Sequence, residues 1–457
     1  MQSDCNPHLE RFATIGNWVD IPLLLMIVYS TLLGSILGSV SGLIPGIHVN
    51  TLALVLLAME PWLEDLMVGV LSSSGMGPGV MPLIISSIIV SAAVVHSFLD
   101  FIPSIFLGAP DSSQALSVLP GHRMLMSGKG LEAVLCSAKG SLVGALLAVL
   151  IATPSQLVMG PPFEIYDVLA PWIPLILLGV VTFLIISERR GGWRAMSWAV
   201  ALSLSSGLLG FIVLNANLPL GEMIGMEQSP LFPLLTGLFG LPTLLLSLDN
   251  PSIPEQTESL EQVSRIKPSI KGVLAGSMVG WFPGITSTSG AVMASFISRR
   301  TVIEESAPNF ITTVSAVGSS ATVFSLIALS VTGRGRTGAM LAVADLLGED
   351  LDLLAQVPSA QFGLLLLSVL MSAGVGYLLT LKMGGIFARA ISRHDMGKVG
   401  KLIIILVLVL VLIFNGPQGL LLLGVATLLG LIPPRVGVGR VHLTGCLLIP
   451  VMLFFLG

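Results

Sequence analysis

Charge is scarce in this chain. Asp, Glu, Lys and Arg make up 10% of its 457 residues, against roughly 25% in soluble proteins. Hydrophobic residues reach 54%, more apolar surface than a water-soluble core can hide, so a polytopic membrane protein is implied. A net charge of −4 spread over the whole length offers no basic patch for nucleic acid. Cysteine is nearly absent. Cys5, Cys136 and Cys446 stand too far apart for a metal or redox spacing, and the last two read as small apolar fillers. There is no Gly-Lys-Ser/Thr phosphate loop, no carboxylate pair flanking a cleft and no close Cys–His combination, so nothing points to an enzyme. No metal or cofactor is expected. The first 20 residues are polar and the first long apolar run starts at Ile21, a poor signal peptide, so the N-terminus is read as mature.

Gly and Pro, in contrast, are abundant, at 50 and 28 residues, and they sit inside apolar runs. The stretch 38–51 (GSVSGLIPGIHVNT) recurs, altered, at 276–289 (GSMVGWFPGITSTS), so that Pro283 repeats Pro45 half a chain later. Pro removes a backbone donor and Gly tolerates positive φ, so each copy should open the helix in mid-membrane. Such an opening is tolerated only where protein or a water-filled cavity covers it. Two broken segments in corresponding halves are the sequence pointer to a secondary-transporter binding site.

Apolar segments fall at about 21–43 and 46–59 around the first break, then 80–99, 101–120, 131–152, 165–187, 195–215 and 230–248. They continue at 270–282 and 285–298 around the second break, then 309–330, 332–347, 360–381, 401–414, 417–432 and 441–456. Several are shorter than the ~20 residues of a full crossing and come in pairs, as re-entrant hairpins would. Of 21 Lys and Arg, all but Arg11, Arg334 and Arg336 fall in six stretches, 123–139, 189–194, 265–271, 299–300, 382–401 and 435–440. Acidic residues (Glu60, Glu64, Asp65; Glu222, Glu227; Glu349, Asp350, Asp352) mark the alternate loops. The positive-inside rule places the basic stretches in the cytoplasm and both termini outside a cell (plasma) membrane. Threading the chain through those loops makes each Pro-Gly segment enter and return from opposite faces. The expected fold is therefore an all-α membrane protein of two inverted-topology repeats with re-entrant, Pro-Gly-broken hairpins. Its expected parts are a tail (1–20), a first repeat (21–248), an acidic cytoplasmic linker (249–269) and a second repeat plus C-terminal helices (270–457).

A second pair of breaks carries charge. Gly108-Ala109-Pro110-Asp111-Ser112-Ser113 interrupts the first half, and Thr332-Gly333-Arg334-Gly335-Arg336-Thr337-Gly338 the second. Ionisable residues at membrane depth are functional-site hypotheses by default. The planar forks of Arg334 and Arg336, with Thr337 beside them, suit carboxylate or phosphate, although a solvated surface turn is the plainer alternative. Asp111 and Asp100 are each a proton site or a partner for Arg334 or Arg336, and Asp111, followed by Ser112 and Ser113, is alternatively a helix N-cap. Asn50 and Thr51 follow Pro45-Gly46, and Thr286, Ser287, Thr288 and Ser289 follow Pro283-Gly284. Each set stands at the first turn of a half-helix, where exposed N–H groups attract anions, or where the hydroxyls act only as caps. His48 is either a proton-linked group or a hydrogen-bonded structural residue.

The two Pro-Gly motifs, the run 105–130 with Gly108-Ala109-Pro110, Pro120-Gly121 and Gly128-Lys129-Gly130, and Gly237-Leu238-Phe239-Gly240 together resemble the TctA family, the large membrane subunit of tripartite tricarboxylate transporters. The similarity covers about residues 30–450. It implies a two-repeat secondary carrier for carboxylates, usually working with a small membrane subunit and an extracytoplasmic binding protein. Residues 312–320 (TTVSAVGSS) lack the Glu and Asn of the family pattern there, which marks a divergent branch, partnered or stand-alone. The leading reading is a proton- or sodium-coupled carrier of an organic anion held between the hairpins. The alternatives are a lipid-phosphate or polyprenyl-phosphate translocase and a non-transporting membrane scaffold. Membrane lipid is the only other partner expected, and a homo-oligomer is left open.

Overall fold

A computed structural model describes residues 21–44, 49–106, 118–215, 230–248, 254–257, 266–297, 306–391 and 396–456. In lipid every backbone N–H and C=O must be paired internally, and a helix does so within one segment. The described residues are accordingly helical, with no strand among them. The first half contains α1 (Ile21–Leu43), α2 (Val49–Ala58), α3 (Glu60–Ser73), α4 (Met81–Leu99), α5 (Gly130–Leu150), α6 (Ile173–Ser187) and α7 (Gly192–Asn215). The second contains α8 (Ile266–Trp281), α9 (Ser287–Ile297), α10 (Ala307–Thr332), α11 (Gly338–Leu347), α12 (Ala360–Ile391), α13 (Met396–Gly430) and α14 (Gly445–Leu456). Among the described residues, seven helical stretches are long and apolar enough to cross a membrane. The protein is a multi-pass membrane protein.

Burial sorts these helices into centre and rim. The most apolar window of α10 is 89% buried and that of the stretch holding α4 is 78% buried, whereas those of the α6–α7 stretch and of α13 are 28% buried. α4 and α10 are thus enclosed by protein, and the α6–α7 stretch and α13 leave most of their surface outside the protein's own packing.

Glycine seams bring neighbours onto the two central helices. Gly34, Gly38 and Gly42 of α1 face Ile88, Ala92 and His96 of α4, where a Cβ would come within 3.0 Å of the opposing backbone. Gly272, Gly276 and Gly280 of α8 face Ala316, Ser320 and Phe324 of α10, where a Cβ would come within 2.6 Å of the opposing side chains. The two seams are copies in register. The step that carries Pro45 onto Pro283 also carries Gly34, Gly38 and Gly42 onto Gly272, Gly276 and Gly280. A second constant step carries Ile88, Ala92 and His96 onto Ala316, Ser320 and Phe324. Removing the side chain lets backbones approach closely, the usual means of helix association where lipid gives no hydrophobic drive. From the other side of α10, Gly140 and Gly144 of α5 meet Thr312, Ser315, Ala316 and Ser319.

The ends of the fold are segregated. Leu23, Val80, Leu83, Leu347, Asp350, Gln361 and Leu364 border one apolar cleft, so the starts of α1, α4 and α12 and the end of α11 share a face. At the far end of α4 lies the basic 123–139 region, where the short stretch 254–257 docks. There Thr257 N–H bonds Gly128 O at 2.9 Å and Gly130 N–H bonds Gln256 Oε1 at 2.7 Å. The described part of the 249–269 linker is therefore anchored rather than free in solvent. In the turn after α6, Glu188 Oε1 accepts from Gly439 N–H at 2.8 Å and contacts His442 Nε2 at 3.2 Å, which ties two basic stretches together.

Some boundaries differ from the sequence expectation. The segments expected at 401–414 and 417–432 are two helical arms of α13, longer at the first end than expected and parted by a kink where Gly416 (φ 64, ψ −168) leaves helical geometry just before Pro417. The expected 332–347 segment begins only at Gly338, because residues 333–337 are non-helical.

Candidate functional site

The second break is visible in full. α8 stops at Trp281 and α9 starts at Ser287, with Pro283 and Gly284 half-buried between them. Gly284 has φ 82°, the left-handed region that a Gly reaches without strain, and its missing Cβ would lie 3.2 Å from Val451 of α14. Thr286 Oγ1 accepts from Ser289 N–H at 3.2 Å, and Thr286 O accepts from Gly290 N–H at 3.0 Å. Ser289 Oγ reaches Thr444 Oγ1 at 3.4 Å, and Thr288 and Ser289 are buried while Ser287 is half-buried.

Of the first break, Pro45, Gly46 and His48 lie outside the described residues, as do Asp111, Ser112 and Ser113 of the second first-half break. Asn50 and Thr51 are half-buried in the first turn of α2. Asn50 Oδ1 accepts from Ala339 N–H at 3.0 Å, capping α11 from the opposite half of the chain. A Cβ on Gly338 would meet Asn50 Cβ at 2.8 Å, so only Gly allows this approach. Thr337 Oγ1 accepts from Met340 N–H at 3.2 Å, and Thr337 O from Leu341 N–H at 2.8 Å.

These bonds alter the expectation for the half-helix N-termini. An anion site needs open amides. At α9 the Ser289 amide is bonded to the Thr286 side chain, and at α11 the Ala339 and Met340 amides are bonded to the side chains of Asn50 and Thr337. Asn50, Thr286 and Thr337 act here as caps.

The two arginines have different environments. Arg334 is exposed, its backbone N–H turned to Thr332 Oγ1 at 3.2 Å. Arg336 is half-buried: its Nη2 donates to the Tyr166 hydroxyl and its guanidinium carbon stands 5.3 Å from the Tyr166 ring centroid. The Arg336 Nε is buried without a hydrogen-bond partner among the described residues. Tyr166 in turn lies against Trp281, the last residue of α8, with centroids 6.2 Å apart and planes tilted by 38°. A line of contacts thus runs from Asn50 through Gly338 and Arg336 to Tyr166 and Trp281, joining three broken segments.

Sequence reasoning did not single out Tyr166. The signal available was its rarity, as one of three tyrosines in the chain. It also missed His96, a buried histidine inside the apolar run of α4, whose Nδ1 lies 3.0 Å from Ser41 Oγ. Asp100 caps the end of α4 and is 4% exposed. No group of three His, Cys, Asp or Glu that could hold a metal occurs among the described residues.

The polar run 312–320 proves to be a packing face. Ser315, Ser319 and Ser320 bond carbonyls three or four residues back on α10, Thr312 and Thr313 also reach Cys136 O and Pro268 O, and the glycines of α5 and α8 press against them. Hydroxyls satisfied on their own helix present an almost apolar small-residue surface. The apolar cleft near Leu23 and Leu347 touches none of the residues expected to bind substrate.

An uncharacterized protein of Methanocaldococcus jannaschii is 29% identical over 317 residues, covering 68% of this chain and 71% of that protein. No solved structure matches. The family model described as "Tripartite tricarboxylate transporter TctA family" matches residues 28–445. The chain therefore belongs to the tripartite tricarboxylate transporter TctA family.

Proposed function

We propose that the protein is the membrane-embedded carrier of an organic anion of carboxylate type, coupled to H+ or Na+, with the substrate held between two inverted Pro-Gly hairpins near the bilayer midplane. The glycine seams in common register support a two-repeat architecture, and the alternation of basic stretches with acidic loops along the sequence supports opposite entry of the two hairpins with both termini outside. A small membrane subunit and an extracytoplasmic binding protein fit the family assignment.

The observation that carries the reading is Arg336. It is cationic, half-buried and oriented by Tyr166, and its Nε is still unpartnered beside two broken segments. A guanidinium fork held by one arm offers its free edge to a carboxylate. On this reading the capping residues Asn50 and Thr337 and the exposed Arg334 belong to the same site.

Citrate binding and flux test this in purified full-length protein and proteoliposomes. Arg336→Lys keeps the charge and loses the fork, so affinity should fall; Arg336→Ala should lose more. A buried charged hydrogen bond to ligand contributes about 2–5 kcal/mol when truncated. Binding that survives Arg336→Ala unchanged refutes the arginine as the anion contact.

A further inference from the structure

α4 and its C-cap carry two titratable side chains one helical turn apart, His96 and Asp100, which therefore share a face. They are buried, at 6% and 4% exposure. The Asp100 N–H bonds the His96 carbonyl at 3.0 Å, and His96 Nδ1 meets Ser41 Oγ of α1 at 3.0 Å. Ser41 stands one helical turn before Pro45, so the imidazole touches the arm of the first hairpin beside its break. Ionisable groups buried in a membrane helix are costly and mark proton or ion pathways.

The fold supplies its own control. The α1–α4 contact is built again by α8 and α10. The step that carries Ile88 onto Ala316 carries His96 and Asp100 onto Phe324 and Ala328. Those two are buried at 1% and 0% exposure. The step that carries Pro45 onto Pro283 carries Ser41 onto Val279. An apolar set therefore closes the same crossing, and packing alone requires neither an imidazole nor a carboxyl.

We propose that His96 and Asp100 form the coupling-proton site of the carrier. One proton enters from water on one face, is held by the imidazole and carboxyl, and leaves to the other face as the first hairpin moves. The proposal deepens the carrier reading above and rests on it. Ser41 is the mechanical link. Its hydroxyl can donate to Gly38 O, 3.1 Å away, or to an unprotonated Nδ1. A proton gained at Nδ1 turns the ring into a donor, so the hydroxyl must accept from it and keep Gly38 as its own acceptor. Protonation thereby selects the hydrogen-bond pattern between α1 and α4.

Few other charges surround the pair. Of the elements packed on α4, α1, α2, α10 and Phe101–Phe106 carry no Asp, Glu, Lys, Arg or His. α3 carries Glu60, Glu64 and Asp65; α5 carries Glu132 and Lys139, both half-buried; Asp345 of α11 and Lys382 and Arg389 of α12 are exposed.

The test uses the full chain with His96→Gln, Asp100→Asn and the double variant His96→Phe/Asp100→Ala, which copies the second half. Citrate exchange at equal pH is compared with uptake driven by a one-unit pH gradient, which supports roughly tenfold accumulation per coupled proton. The variants should keep exchange and lose that tenfold accumulation. Gradient-driven accumulation equal to the unsubstituted protein overturns the proposal. Absence of citrate exchange in the unsubstituted protein, with the small membrane subunit and the binding protein supplied, would instead count against the carboxylate reading. A substrate-free measurement then still decides: thermal stability from pH 5 to 8 should diverge between the unsubstituted protein and His96→Gln/Asp100→Asn. Parallel curves overturn the proton site.

Discussion

Gly38→Ala probes the seam between α1 and α4 most directly. A methyl at this position would stand 2.8 Å from Ala92 Cα and 3.0 Å from Ala92 C, both backbone atoms that no rotamer change can clear. The two helices must therefore separate. Ala favours a helix over Gly by about 1 kcal/mol, while overpacking a close contact costs typically 1–3 kcal/mol and occasionally more. The net expectation is a loss of up to about 2 kcal/mol from these two effects together. Gly276→Ala is the informative partner. There the methyl meets Ser320 Oγ first, then Val317 O at 2.9 Å and Ala321 N at 3.2 Å. A hydroxyl can rotate or be removed, so Gly276→Ala should cost less than Gly38→Ala, and Ser320→Ala should restore part of the loss. Gly179, within α6 and with nothing within 4 Å of its would-be Cβ, is the control, and Gly179→Ala should be neutral or stabilising by up to about 1 kcal/mol. Heating the detergent-solubilised protein and reading the surviving monodisperse fraction by size-exclusion chromatography ranks the variants. If Gly38→Ala survives as well as Gly179→Ala, the close approach of α1 to α4 is wrong.

Three further outcomes are expected. Asn50→Ala should raise hydrogen exchange in the first turn of α11 by about twofold to thirtyfold, the equivalent of losing a cap of about 0.5–2 kcal/mol; unchanged exchange would remove the contact between the halves. For Glu188, burial raises its pKa but the bonds from His442 and Gly439 lower it more, leaving the folded value below 4.5. Its stabilisation is then present above about pH 4.5 and lost as pH falls through that lower folded value, so melting temperature should decline more steeply with acid than in Glu188→Gln. Single cysteines near Glu64 and Asp352 should label from outside and near Arg190 and Lys398 from inside; labelling of positions near Arg123 and Glu64 from one side would defeat the opposed-hairpin topology.

Much of this protein was legible as a string of residues because the decisive constraints are local. Lipid excludes charge and unpaired backbone, so composition alone implied crossing helices, and Pro283-Gly284 does end α8. The register that relates the two Pro-Gly motifs reappears in the glycine seams, since close approach needs a missing side chain at each turn. The partner of each polar side chain was not legible, and neither was the choice between cap and ligand. Asn50 bonds an amide 289 residues away, and Arg336 a tyrosine 170 residues away. Such pairings depend on how helices cross, which residue type does not encode. The hydroxyls of 312–320 show the same limit: identical chemistry serves a binding site or a packing face, and only the helices pressing from both sides of α10 decided for packing. His96 stayed unremarked in its apolar run until the fold placed Ser41 against it and Phe324 at the matching crossing.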